Sequence, residues 1–280
     1  MKLRFYDPLY HCTISPAFKV NQYESGQTYA KIIYPSTKVP LKDKSYQDNY
    51  PVLFFIQDEG IDATSLDQEV AQLSTIARFG YCVVILSYRD VNYGVLPLQI
   101  HDCMDSIYSL LSQRYGAYPL DTSNYFISGN GFGGYLAIQS ALHLFSKYNT
   151  LDSNALKGVI DFYGPMDFDV NAMDQSYMRY IDLSDTEDDI VDGSSVYDSL
   201  CQSTIRFPLF IVHGTNDVCV PVEQAQQLEK IALANCFDVV YLEIENGNHG
   251  GELVFSDNML HKVQDYMNRK IHPEVDSYRY

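Results

Sequence analysis

The chain has 280 residues, 46% hydrophobic and 20% charged, which is enough to bury a large core and lacks the bias of a disordered or fibrous protein. A formal net charge of −17 disfavours nucleic acid and anionic membrane surfaces as partners, because binding phosphate-rich surfaces needs clustered Lys and Arg. The longest apolar runs, residues 52–56 and 82–86, are too short to cross a bilayer, and the opening MKLRFYDPLYHC lacks the apolar stretch of a signal peptide.

In chain order, the first 50 residues hold Tyr- and Ile-containing runs such as 28–34 between polar stretches like KVPLKDKSYQDN, which predicts antiparallel strands leading into a sheet. From Pro51 the pattern changes to short β-branched and aromatic runs, 52–56 and 82–86, of the kind a doubly covered parallel strand requires. Between them Val70, Leu73, Ile76 and Ala77 recur at helical spacing, with Gly80 as a stop. Ile100, Cys103, Met104, Ile107 and Leu111 form a second such stripe, ending at Gly116. There follow a strand at 125–128, a helix over 133–147, strands at 158–162 and 209–212, a helix over 224–234, a strand at 239–244 and a closing helix over 258–269. This alternation implies a single domain, 1–280, with a mostly parallel central sheet and helices on both faces.

Residues 166–200 break the alternation with Met166, Phe168, Met173, Tyr177, Met178 and Tyr180, then an acidic run over 182–192. They read either as a small lid or as plain packing, and the acidic run as a solvated face, since it lacks the ordering of a calcium loop. Six cysteines, at 12, 82, 103, 201, 219 and 236, show no metal-ligand spacing, so reduced thiols, no metal, no cofactor and a cytoplasmic location are expected.

The chemistry gathers in three loops. Residues 128–135, SGNGFGGY, follow an apolar strand and open a helix, the context of a G-x-S-x-G nucleophile elbow, with Gly131 where the serine stands in that motif. The 209–212 run leads into HGTNDVCVP, which carries Asp217, and the 239–244 run leads into ENGNHGG, which carries His249. An acid and then a base in successive loops after the elbow is the chain order of a nucleophile, acid and base triad. The literal G-x-G-x-x-G at 129–134 also fits a phosphate-binding turn, but that reading leaves the two later loops unexplained. His213 reads as a shaping residue of its own loop, and Cys219, on the acid's loop, as an inert thiol.

Over about residues 51–269 the chain resembles the esterase and lipase branch of the α/β-hydrolases, and more narrowly the small acetyl- and feruloyl-esterase-like carboxylesterases. The resemblance rests on LSYRD at 86–90, LPLQIHDC at 96–103, the elbow, VIDFYGPMDF at 159–168, HGTNDVCVP and GNHGG. It implies an α/β-hydrolase fold, a small-molecule ester or related ligand, Asp217 and His249 as acid and base, and Phe132 as an oxyanion donor beside the loop after the first parallel strand. Where the family has an HGGG- or QGSG-like run, that loop reads FFIQDEGI, which retains Gln57 and Gly60 but has Asp58 and Glu59 in the middle. Two carboxylates beside amides meant for an oxyanion oppose their purpose unless the side chains point to solvent.

Three functions are compatible with these residues: an esterase framework weak or inactive in acyl transfer, a pseudo-hydrolase that binds a small molecule or protein partner, and an enzyme using a His249–Asp217 general base. The reading of these loops as an emptied triad hangs on Gly131 crowning a sharp bend that faces the imidazole of His249, itself braced by Asp217, and another hydroxyl poised against that ring counts against it.

Overall fold

The computed structural model describes residues 10–38, 49–58, 65–112, 118–168, 175–181 and 195–273. The antiparallel prelude consists of β1 (Tyr10–Ile14), β2 (Phe18–Tyr23) and β3 (Gly26–Lys38), with β1 and β2 both pairing on β3. The alternating part runs β4 (Tyr50–Ile56), α1 (Val70–Arg78), β5 (Cys82–Leu86), α2 (Leu98–Leu111), β6 (Leu120–Asn130), α3 (Phe132–Lys147) and β7 (Leu156–Phe162). It continues with α4 (Gln175–Met178), α5 (Val196–Gln202), β8 (Leu209–Gly214), α6 (Val222–Ala234), β9 (Val239–Ile244) and α7 (Asp257–Ile271). One nine-stranded sheet results, in the order β1-β3-β5-β4-β6-β7-β8-β9 with β2 on β3, and every pairing from β5 to β9 is parallel.

The continuous apolar runs are explained by burial on both faces. In β4, Val52, Phe54 and Ile56 pack into the cluster that holds Ile100, Cys103, Ile107 and Leu136, so α2 and α3 cover that side. Leu53 and Phe55 join the opposite cluster with Leu73 and Ile76 of α1 and Val263 and Met267 of α7. Strand residues alternate between faces, so a strand covered on both sides must be apolar at every position.

The predicted strands and helices are present, with boundaries moved by a few residues. The strand expected at 125–128 begins at Leu120, and the stripe of α2 ends at Leu111, with Gly116 outside the described residues. Of the 166–200 segment, α4 and the start of α5 are described, whereas Met173 and the acidic run 182–192 lie outside the described residues. All six cysteines are free, with Cys82 and Cys103 buried. Among the described residues no helix is long and apolar enough to cross a membrane.

The LSYRD and LPLQIHDC motifs meet as a buried ion pair. Arg89 donates through Nη2 to Asp102 Oδ1 at 2.6 Å and through Nε to Oδ2 at 2.9 Å, while its Nη1 reaches Ser25 Oγ at 2.6 Å. Its guanidinium also lies over the Tyr23 ring at 3.9 Å. One side chain thereby ties the β2–β3 turn and the loop after β5 to helix α2. Removing one partner of a buried pair leaves the other charge uncompensated. Asp102→Ala is therefore expected to lower unfolding free energy by about 3–5 kcal/mol in urea titrations, whereas Arg89→Met with Asp102→Leu should cost much less. Equal losses in the two variants would refute the pairing argument.

Candidate active site

The site forms at the carboxyl ends of β4, β6, β8 and β9, where strands hand over to loops. Strand β6 turns into α3 through Gly131, whose backbone stands at φ 53°, ψ −128°. A residue with a Cβ in such a conformation is strained by about 1–3 kcal/mol, and glycine relieves most of it. The turn also needs close backbone approach, since a Cβ on Gly133 would collide with the Ile56 carbonyl. The Gly131 amide donates to the Phe162 carbonyl at 2.9 Å, fixing the bend against β7.

Asp217 and His249 meet as expected from their loops. Asp217 Oδ2 lies 2.8 Å from His249 Nδ1 and 3.3 Å from His213 Nε2. Its Oδ1 accepts the Cys219 and Val220 amides at 2.8 and 2.9 Å. Burial pushes the Asp217 carboxyl pKa up, but these hydrogen bonds outweigh it and hold the group well below the usual carboxylate range. A carboxylate only accepts, so it places the proton of a neutral His249 on Nδ1 and leaves Nε2 as the acceptor. His213 shapes its loop as the sequence suggests, with Nε2 also 2.9 Å from the Val220 carbonyl oxygen.

Asp58 departs from expectation. Its carboxylate turns inward: Oδ1 accepts the Phe132 amide at 2.6 Å, and a Cβ on Gly131 would collide with the carboxyl group. The Phe132 donor is thus occupied by the protein's own anion, and the Asp58 amide points to Asn130 Oδ1 at 3.2 Å. The carboxylate sits at the N-terminus of α3, where unpaired amides and the helix dipole favour negative charge. Tyr88, fully buried, donates its hydroxyl to the Asp58 carbonyl and helps fix the loop. Glu59 and Gly60 lie outside the described residues.

The condition that no other hydroxyl faces His249 is not met. Tyr177, on α4, places its hydroxyl 2.8 Å from His249 Nε2 and 3.2 Å from Asp58 Oδ2. Burial, with the Asp58 carboxylate adding to it, pushes the Tyr177 pKa far above that of an ordinary phenol. The continuous chain is therefore Asp217–His249–Tyr177–Asp58, and Tyr163 packs edge-on against the imidazole with ring centroids 4.6 Å apart. Sequence reasoning missed Tyr177 as a site residue. Its only signal was membership of the Met- and Tyr-rich stretch, and no motif spacing ties it to His249.

Asp217, Cys219 and His249 each offer a metal-ligand atom within 4.8 Å of the others. Asp217 Oδ1 already accepts two amide hydrogen bonds, and Oδ2 faces His249 Nδ1 and His213 Nε2, so Asp217 and His249 Nδ1 are committed to holding the loops.

The sequence matches the BD-FAE family over residues 41–231. The chain belongs to this family of esterase-like α/β-hydrolases. Among solved structures, a truncated carbohydrate esterase from gut microbiota is 19% identical with a TM-score of 0.76, covering 94% of this chain and 98% of its own. Esterase B from Lactobacillus rhamnosis, in an inhibited form, is 17% identical with a TM-score of 0.73, covering 96% of this chain and 90% of its own. The acylaminoacyl peptidase of Pyrococcus horikoshii is 16% identical with a TM-score of 0.67, covering 92% of this chain and 41% of its own. No curated protein matches the sequence. At these identities the solved structures establish the α/β-hydrolase fold, in agreement with the resemblance read from the motifs.

Two predictions follow from the geometry. Gly131→Ala should lower stability by about 1–3 kcal/mol, and adding Asp58→Gly should recover part of the loss, with a coupling of at least about 0.5 kcal/mol in a double-mutant cycle. Strictly additive effects would show that the two residues do not share the space. The second concerns Asp161, fully buried beneath the elbow on β7, with Oδ1 accepting the Gly164 amide at 3.1 Å. Burial pushes its pKa up to about 7 from 3.8, against the opposing pull of His213 and the Gly164 amide. The folded state therefore binds this proton more tightly than the unfolded chain. Its stabilisation is full below about pH 4 and is lost as pH rises through about 7. Asp161→Asn, which cannot ionise, should flatten the decline of unfolding free energy across that window relative to the unmodified protein.

Proposed function

We propose that this member of an esterase-like hydrolase family does not carry out acyl transfer through a serine, and is a pseudo-hydrolase in the esterase sense. The observation that supports this reading is the Asp58 carboxylate. It lies against Gly131, where an elbow nucleophile would project, and holds the Phe132 amide that would otherwise face a developing oxyanion. A preorganised donor already bound to a full negative charge cannot respond to a new one. Gly131 supplies no nucleophilic atom, so Asp217 and His249 are left as an acid and base pair.

Tyr177 is a poor substitute. Its phenol is held in the protonated form by burial and by Asp58, and an ester formed on it would have to collapse without the Phe132 donor. A carboxylate at the heart of the site also favours a cationic or hydroxyl-rich occupant over an acyl chain.

The test is hydrolysis of p-nitrophenyl acetate by the full chain, compared with His249→Ala and Tyr177→Phe. The expected result is one background rate shared by all three and no acetyl adduct by intact-mass spectrometry. Turnover that disappears in either variant would overturn the reading.

A further inference from the structure

A carboxylate in the space of an elbow nucleophile is unsuited to esters, yet it is suited to another electrophile. Attack by Asp58 on an ester carbonyl would give a mixed anhydride, a less stable species than the ester consumed. Attack on a saturated carbon would give an ordinary alkyl ester, which water can cleave at the Asp58 carboxyl carbon. In that second step negative charge develops on Oδ1, the oxygen already 2.6 Å from the Phe132 amide. The neighbouring groups complete such a sequence: the Tyr177 hydroxyl donates to Asp58 Oδ2, oxygen to oxygen 3.2 Å, and its oxygen also lies 2.8 Å from Nε2 of His249, which Asp217 braces.

We propose that Asp58 is a carboxylate nucleophile for strained cyclic ethers, with Tyr177 protonating the ring oxygen and His249 activating the water that releases a diol. The proposal rests on the reading above that no serine-type acyl transfer occurs here. In the first step Asp58 Oδ2 bonds to a ring carbon, the carbon–oxygen bond of the ring breaks, and the departing oxygen takes the Tyr177 proton. In the second, water gives a proton to His249 Nε2 while its oxygen bonds to the Asp58 carboxyl carbon. Collapse breaks the bond between that carbon and Oδ2. The His249 proton then goes to the leaving diol oxygen, and the new carboxylic acid proton returns to Tyr177. The sum is one epoxide and one water giving one diol, with every side chain restored.

The need for a proton donor selects the leaving group. A halide departs without a proton and has no use for Tyr177, whereas an alkoxide requires one. A phenol of high pKa surrenders its proton only to an oxygen that is at least as basic, and ring strain supplies the remaining drive.

The experiment uses the full chain with styrene oxide in water enriched in oxygen-18. The expected result is phenylethanediol whose oxygens carry no label in the first turnover, with the label instead on the peptide containing Asp58. With His249→Gln the same peptide should retain a hydroxyphenylethyl adduct. Tyr177→Phe should slow ring opening by about 100-fold or more. Label in the first-turnover diol would mean that His249 directs water straight at the epoxide, and overturns the proposal. Neither diol nor adduct, in protein whose thermal melt shows it folded, overturns it as well. Acetyl transfer to p-nitrophenyl acetate is scored separately, so loss of this proposal leaves the previous reading standing, and loss of that reading is visible by itself.

Discussion

The hydrogen bond from the Phe132 amide to the Asp58 carboxylate organises the site. It joins the loop after β4 to the first turn of α3 across 74 residues of sequence. The amide lies at the positive end of a 16-residue helix, where anions are favoured, and the carboxylate is the anion supplied. The space it needs exists only because Gly131 has no Cβ. Gly131 and Asp58 are therefore one structural feature, a turn that has given its volume to a neighbouring acid.

The other site residues arrange themselves around that anion. Tyr177 bridges it to His249, and His249 is fixed in orientation by Asp217, whose Oδ1 accepts two amides of its own loop after β8 while Oδ2 reaches across to His249 on the loop after β9. A chain of alternating acid, imidazole, phenol and acid can pass protons along its length without large movement. The sheet makes this possible, because parallel strands deliver all of these loops to the same edge, and the Arg89–Asp102 pair anchors the helix and turn beside it. The same frame thus keeps the parts of an acid–base site while changing which atom stands at its centre.

Much of this was legible in the chain. The strand runs were readable because a strand buried on both faces must be apolar throughout, and the helices because one-sided burial imposes a period near 3.6 residues. Gly131, Asp217 and His249 were readable because each sits a few residues past a recognisable strand, so local order along the chain fixes their approach to one another. Asp58 is legible in the sequence as a charge beside the amides, but its direction is not: a loop carboxylate faces solvent or protein according to the donors within reach.

What the sequence by itself determined was the sheet, its helical cover and the three loops that converge, since each follows from local hydrophobic period and from turn chemistry. What only the tertiary structure decided was the occupancy of the site: Asp58 turned inward onto an amide, and Tyr177 brought against His249 from 72 residues away. Neither leaves a trace in spacing or composition. Such contacts depend on which donors and empty volumes the folded backbone presents, and those exist only once the strands and helices have packed.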